Sequence, residues 1–232
     1  MNTADYAKAV RIAAKVLGAN HIKWFVCFGN LLHLIRDKSL ENDKDVDIGV
    51  FYEHMALANP NAIVNGFEKF GYTRLLYIEH DIDEKPLYMC FRHPELPPID
   101  IFCWFKHGKY RYHTFDTLQE KVKKRPSLYK FLGVPAKYLP DPDGRLPKDP
   151  TIVKQMFFQS TPQYVAEIYL PLNTGTLLDI WYPNWLKPRS MTSMSPEVVT
   201  MKSCRQWKDE MNIECQIDIS RAVYQKELLQ MV

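Results

Sequence analysis

The chain has 232 residues, 46% of them hydrophobic and 25% charged, with a formal net charge of +3. That balance suits a folded chain with one large core and excludes disorder on a large scale. The charge is too mild for a nucleic-acid partner, which would need clustered Lys and Arg, and no run reaches the ~18 apolar residues of a membrane span.

The first segment, MNTADYAKAVRIAAKVLGANH, carries Lys and Arg throughout and has no apolar stretch before a small-residue cleavage site. It reads as an amphipathic helix from Ala4 to Leu17, with Gly18 just past its end, and not as a signal peptide. A short β-type run, KWFVCF (23–28), is broken by Gly29-Asn30, and LLHLIRDKSL returns to helical composition. VDIGVFY (46–52) is a second strand. Asn59 and Pro60 are the N-cap and first residue of a helix through Phe70, closed by Gly71. Four further strands follow with short polar breaks: 72–80, 86–93, 97–105 and 109–115. The order of helices and strands gives an α+β fold, a mixed sheet covered by helices on one side.

From about Pro126 the character changes. The basic run EKVKKRPSLYK (120–130) reads as a solvated helix end or a patch facing an anionic membrane surface. GVPAKYLPDPDGRLPKDP (133–150) is expected to be an extended loop without regular structure, of the kind that often serves function. Thr161-Pro162 opens a helix through Tyr169, TGTLLDIWYPNWLKPR (174–189) holds a short helix stopped by Pro183, and the C-terminal segment has helical spacing. Five cysteines, at 27, 90, 103, 204 and 215, form no CxxC pair. Buried thiols in a reducing cytoplasm account for them better than disulfides or zinc.

The chemistry concentrates around KDVDIGVF (44–51). Alternate residues of a strand share a face, so Asp45 and Asp47 project side by side. Adjacent carboxylates repel unless a positive charge lies between them, and a hard divalent cation with oxygen ligands, Mg²⁺ or Mn²⁺, meets that need. Asp43 at the strand entrance can add a third donor. Asp100 stands alone in the apolar strand PPIDIFCWF; beside 45–50 it completes the site as ligand or general base, the bland alternative being a carboxylate that accepts backbone N–H bonds or pairs with Arg92. Upstream, Gly29 allows a ligand close to the backbone, and the helix starting near Asn30 presents N–H groups to an anion. His33 and Arg36 share one face of that helix, Arg36 suited to a phosphate or else to an ion pair with Asp37 or Asp43. Lys137 and Arg145 in the Pro-rich loop are candidate phosphate contacts, and Tyr182 and Trp185 a candidate stacking face.

Gly29-Asn30 at a helix start, a D-x-D strand and a later strand aspartate resemble the nucleotidyltransferase superfamily that includes DNA polymerase β. More closely, FGNLLHLIRDKSLENDKDVDIGVF resembles the G-[ST]-L-L-x-x-x-R…[WN]-D-x-D-[IV]-D-[IL]-G segment of the LicD/fukutin phosphotransferases. IYLPLNTGTLLDIWYPNWLKPR is similar to that family's closing segment. Asn30 stands where the family has Ser or Thr, Asn42 where it has Trp, and Pro183 where it has Gly. The resemblance implies a nucleotidyltransferase-like catalytic core over residues 1–125, with residues 126–232 packed on it in one structural domain. It also implies Mg²⁺-dependent transfer of a phospho-alcohol from a CDP-linked donor to a sugar hydroxyl of a glycan or lipid-linked saccharide. Asp43, Asp45, Asp47 and Asp100 would serve the metal and the chemistry, and Gly29, Asn30, His33 and Arg36 the phosphates. The expected location is cytoplasmic, with peripheral membrane contact. An NTP-dependent nucleotidyltransferase and a catalytically silent nucleotide-binding scaffold are the alternatives.

Overall fold

In α1, Thr3–Ala19, residues Tyr6, Val10, Ala13 and Leu17 recur at helical spacing and are all buried. The computed structural model to which this belongs describes residues 3–37, 39–40, 43–79, 86–107, 110–115, 130–139, 168–182, 184–187 and 199–201. Arg145, most of the basic run 120–130, the helix expected from Thr161, Pro183 and the C-terminal helical segment lie outside the described residues. α1 ends in a Schellman arrangement: the Ile22 N–H donates to the Leu17 carbonyl and the His21 N–H to that of Gly18. The left-handed residue is therefore His21, with φ of 58°, and not Gly18, which remains helical.

β1 (Trp24–Val26) leads into α2 (Phe28–Arg36), then β2 (Val46–Phe51), α3 (Tyr52–Leu57) and α4 (Pro60–Glu68). Two boundaries differ from expectation. The strand stops at Val26 and the helix starts at Phe28, so Gly29 and Asn30 lie inside its first turn. The reversal is made at Phe28, whose φ of 47° is unusual for a bulky residue. Its ring compensates by packing against Phe102, Trp104 and Trp181 at 4.9, 5.8 and 5.1 Å. α4 begins as expected, the Asn59 side chain accepting the Asn61 N–H at 3.0 Å with Pro60 next in line. Gly71, φ 82°, closes it.

The remaining strands are β3 (Thr73–Glu79), β4 (Pro86–Arg92), β5 (Ile99–His107), β6 (Tyr110–Phe115), β7 (Lys130–Pro135) and β8 (Val199–Met201). α5 (Thr174–Trp181) lies between β7 and β8 and stops, as expected, before Pro183. β7 corrects the reading of 133–150 as irregular from its first residue: Lys130–Pro135 pairs antiparallel along the whole of β6. Its aromatic and β-branched members, Phe131 and Val134, follow strand propensity, and the dense Pro and Asp content begins only farther on.

The sheet is mixed and open. β1, β2, β5, β4 and β3 neighbour one another in that order, and β2 and β5 are parallel while the other pairs are antiparallel. The C-terminal end of the long β5 continues into β6, β7 and β8. The fold is α+β. Every residue of β2 is buried, so both faces of this strand are covered where cover on one side was expected. α1 and α4 approach closely: a Cβ on Gly66 would meet Val16 at 2.8 Å. Residues 168–170 are not helical. The Tyr169 carbonyl accepts the Val26 N–H at 3.0 Å, which covers the open edge of β1. Among the described residues no helix is long and apolar enough to cross a membrane.

Candidate metal centre

The centre forms where β2 begins. Asp43 and Asp45 precede the strand, Asp47 is its second residue, and one carboxylate oxygen from each lies within 4.8 Å of the others. Among the described residues this is the only set of three such ligand groups. Asp100 is outside that tight group but pairs in register with Asp47 across the parallel β2–β5 ladder. Adjacent strands are about 4.8 Å apart, and registered residues share a face. The expected adjacency of the two aspartate strands is thus present, and Asp43 joins Asp45 and Asp47 as a near neighbour.

Protein groups hold this arrangement from several sides. Asn30, wholly buried, donates through Nδ2 to Asp43 Oδ2 at 2.6 Å and to the Asp45 carbonyl at 2.8 Å, and accepts the Asp47 N–H at 2.8 Å. The Lys44 N–H donates to Asp43 Oδ1 at 2.9 Å, and the Tyr6 hydroxyl of α1 donates to the Asp43 carbonyl. The Gly29 N–H donates to the Asp47 carboxylate. A Cβ at Gly29 would meet Asp43 Oδ2 at 2.9 Å, so only glycine lets α2 lie this close to the carboxylate.

The electrostatics are those of negative charge only partly compensated, Lys44 opposing the rise at Asp45 and Arg92 that at Asp100. Among the described residues no Lys or Arg forms an ion pair with Asp43, Asp45, Asp47 or Asp100. Burial, and then the charges of Asp100 and Asp43, push Asp45 up to about 7. Burial pushes Asp47 far above the ordinary carboxylate range, reinforced by Asp45, Asp43 and Asp100. Asp100 is also raised by burial, against hydrogen bonds from Cys90 and Tyr88 and the charge of Arg92. Its Oδ1 is sealed from solvent and has no hydrogen-bond partner. Converging hard oxygens, mutual repulsion and an orphaned carboxylate oxygen fit an oxygen-liking divalent cation. Cys27, buried next to the same aspartates, has its thiol pushed up by burial and then by the charges of Asp47, Asp100 and Asp45.

No protein-family model matches the chain, and no curated protein matches it either.

The phosphate-binding group expected on α2 is differently employed. Arg36 forks onto Asp37, Nε to Oδ1 at 2.6 Å and Nη2 to Oδ2 at 2.8 Å, and its Nη1 reaches the Trp185 carbonyl at 3.4 Å. That bond holds the Asp37 carboxyl below its ordinary range. His33 Nδ1 lies 2.7 Å from the same carboxylate. The Asn30 side chain has both amide protons committed to the 43–47 segment, so that amide serves the aspartates. Tyr182 is 8% exposed, and burial, then the charge of Asp47, pushes its hydroxyl up. Trp185 donates through Nε1 to Asp179 at 2.8 Å and anchors the turn after α5. Lys137 is exposed and lies over the Tyr138 ring at 4.9 Å.

Tyr6, Tyr88 and Cys90 escaped the sequence reading. Tyr88 and Cys90 alternate on β4, and Cys90 pairs in register with Asp100. Once that register is known, period-2 alternation brings them to the aspartate; without it they read as core. Tyr6 carries no signal beyond its place on the apolar stripe of α1.

Proposed function

We propose that this chain is a Mg²⁺- or Mn²⁺-dependent phosphotransferase of the LicD/fukutin type on a nucleotidyltransferase-type fold. It moves a phospho-alcohol, such as phosphocholine or ribitol phosphate, from a CDP-linked donor to a sugar hydroxyl of a surface glycan or lipid-linked saccharide. The observation that carries this reading is the grouping of Asp43, Asp45 and Asp47 at the mouth of β2, with Asp100 in register on the parallel neighbour.

Asp43, Asp45 and Asp47 would hold the cation, with Asp100 at its side. A divalent cation held there would supply positive charge to the donor diphosphate. The acceptor oxygen forms a bond to the β-phosphorus as the bond to the CMP oxygen breaks. Asp100, raised by burial, is the residue we assign to take the hydroxyl proton. Asn30 and Gly29 fix the aspartates rather than the phosphates, a change of role from that implied by the resemblance. A cytoplasmic location, with the basic run 120–130 against an anionic membrane face, belongs to the same reading; charge reversal in that run should weaken binding to anionic vesicles.

One observation favours a second reading. Because Arg36 forks onto Asp37 and the Asn30 side chain is bonded to the 43–47 segment, a scaffold that binds nucleotide without turning it over is the rival. Calorimetric titration of CDP and nucleoside triphosphates, with Mg²⁺ and with EDTA, on wild type and on Asp45→Asn/Asp47→Asn, tests both. Mg²⁺-dependent binding selective for CDP and lost in the double variant, followed by CMP release from a CDP-alcohol, supports the phosphotransferase. Binding without release favours the scaffold. Preference for a triphosphate points to ordinary nucleotidyl transfer, and no binding under any condition removes the first reading.

A further inference from the structure

We infer that Asn30 is the positioning residue of the acidic centre, a single amide that sets the spacing of the three aspartates for the cation; this rests on the function proposed above. Asparagine in the first turn of a helix ordinarily caps or faces water, because its side chain competes with the backbone. Here it is wholly buried and turned outward from α2 onto the 43–47 segment. Its three hydrogen bonds fall on three alternate residues and on three different kinds of group: the carboxylate of Asp43 at 2.6 Å, the carbonyl of Asp45 at 2.8 Å and the N–H of Asp47 at 2.8 Å. A serine or threonine hydroxyl, with one proton, cannot make both donations. The two backbone bonds fix the chain direction at Asp45 and Asp47, and the third holds the Asp43 carboxylate against the repulsion of its neighbours.

Tyr6 adds a strut from α1 to the Asp43 carbonyl, and the absent side chain of Gly29 leaves the gap that the Asp43 carboxylate occupies. Asp100 Oδ1, sealed and without a partner, is an independent sign that a ligand completes the site. Groups behind metal ligands ordinarily govern affinity by orienting them, and Asn30 has that place here.

The test is Mn²⁺ binding, followed by calorimetry and by the paramagnetic resonance line shape of the bound ion, on wild type, Asn30→Ala, Asn30→Asp and Tyr6→Phe. Thermal unfolding of each in EDTA is measured alongside. Asn30→Ala should bind Mn²⁺ roughly 10–100-fold more weakly, with a broadened line shape. Asn30→Asp keeps the acceptor for the Asp47 N–H, removes both donors and adds a negative charge. It should also bind more weakly, whereas a site built on charge alone would gain affinity. Asn30→Asp, of the same shape as asparagine, carries the test should Asn30→Ala not fold; Tyr6→Phe keeps the packing of α1 and should lose a few-fold, about one hydrogen bond's worth. Wild type that binds Mn²⁺ while the variants match it in affinity and line shape, or Asn30→Asp that binds more tightly, overturns the inference and leaves the proposed function standing. Wild type with no Mn²⁺ affinity overturns both.

Discussion

Two regions of this protein bury charge, and they treat it in opposite ways. Arg111 on β6 is fully buried, and the protein meets every need of its guanidinium. Nε donates to the Leu139 carbonyl at 2.9 Å, Nη1 to the Trp104 carbonyl and to Glu53 at 3.2 Å, and the plane lies 4.5 Å over the Phe51 ring. At the mouth of β2 the carboxylates of Asp43, Asp45 and Asp47 converge beside Asp100, and among the described residues no Lys or Arg pairs with them. Desolvating a charge is costly unless it is paired. Lys44 and Arg92 oppose the rise at Asp45 and Asp100 through their charge alone, without an ion pair, and burial outweighs them. That shortfall is the physical argument for a cation from outside.

The sharpest break of this comparison is a pair of substitutions with opposite signatures. Arg111→Ala leaves two buried carbonyls without donors and opens space beneath Phe51, and should lower the unfolding free energy by about 3 kcal/mol or more. Its Mg²⁺ affinity should stay within about twofold of wild type, since the two sites share no partner. Asp47→Asn should lower Mg²⁺ affinity by more than about 100-fold, because a charged ligand is lost. In EDTA at neutral pH it should gain about 1 kcal/mol of stability, because folding no longer requires a proton to be taken up at a buried carboxyl that is ionised in the unfolded chain. Urea titrations in EDTA and calorimetry with Mg²⁺ read both. An Asp47→Asn protein as destabilised as Arg111→Ala would mean that the aspartates are structural.

A second difference is in pH dependence, and its sign follows from burial. Asp45 is raised to about 7 in the folded protein. Between the ordinary carboxylate value of about 4 and that pH, the folded chain holds a proton that the unfolded chain has released. The cation-free protein should therefore lose stability as pH rises through this window. The cation needs the deprotonated form, so the rise in Tm given by Mg²⁺ should be small at pH 5 and grow toward pH 8. Thermal scans with and without Mg²⁺ measure it; a Mg²⁺ effect equal at both ends would count against the centre.

What could be read from the sequence divides along the same line. The Asp45–Asp47 alternation, the isolation of Asp100 between two isoleucines, and the Asn59-Pro60 and Pro183 punctuation are local patterns, and the structure has strands or helix ends at each. The α+β class followed from them. The partner of each polar group was not legible. Asn30 has the chemistry to hold phosphate, and only the fold reveals that it faces the 43–47 segment; for Arg36 the sequence offers phosphate or an ion pair with Asp37 or Asp43, and the fold has the pair with Asp37. Tyr6 reaches Asp43 across 37 residues of sequence, a contact that no periodicity encodes. β7 was hidden because its six residues adjoin a Pro- and Asp-rich stretch whose composition dominated the reading.

The smallest expected effect tests how tightly the centre is built. Gly29→Ala places a methyl group in the first turn of α2, where alanine is intrinsically favoured over glycine by up to about 1 kcal/mol. The added carbon would lie 2.9 Å from Asp43 Oδ2 and 3.4 Å from Oδ1, so the carboxylate must give way. It is held there by Asn30 Nδ2 at 2.6 Å and the Lys44 N–H at 2.9 Å, and neither bond survives a large displacement. Helix propensity and crowding oppose each other in stability, which should remain within about 1 kcal/mol of wild type in EDTA. They do not oppose each other in cation binding. A displaced Asp43 should weaken Mg²⁺ by up to about tenfold, a loss that reports the position of one carboxylate and nothing of the core. Unchanged affinity in a well-folded Gly29→Ala protein would mean that Asp43 stands near the cation without touching it, and that Asp45, Asp47 and Asp100 form the working set.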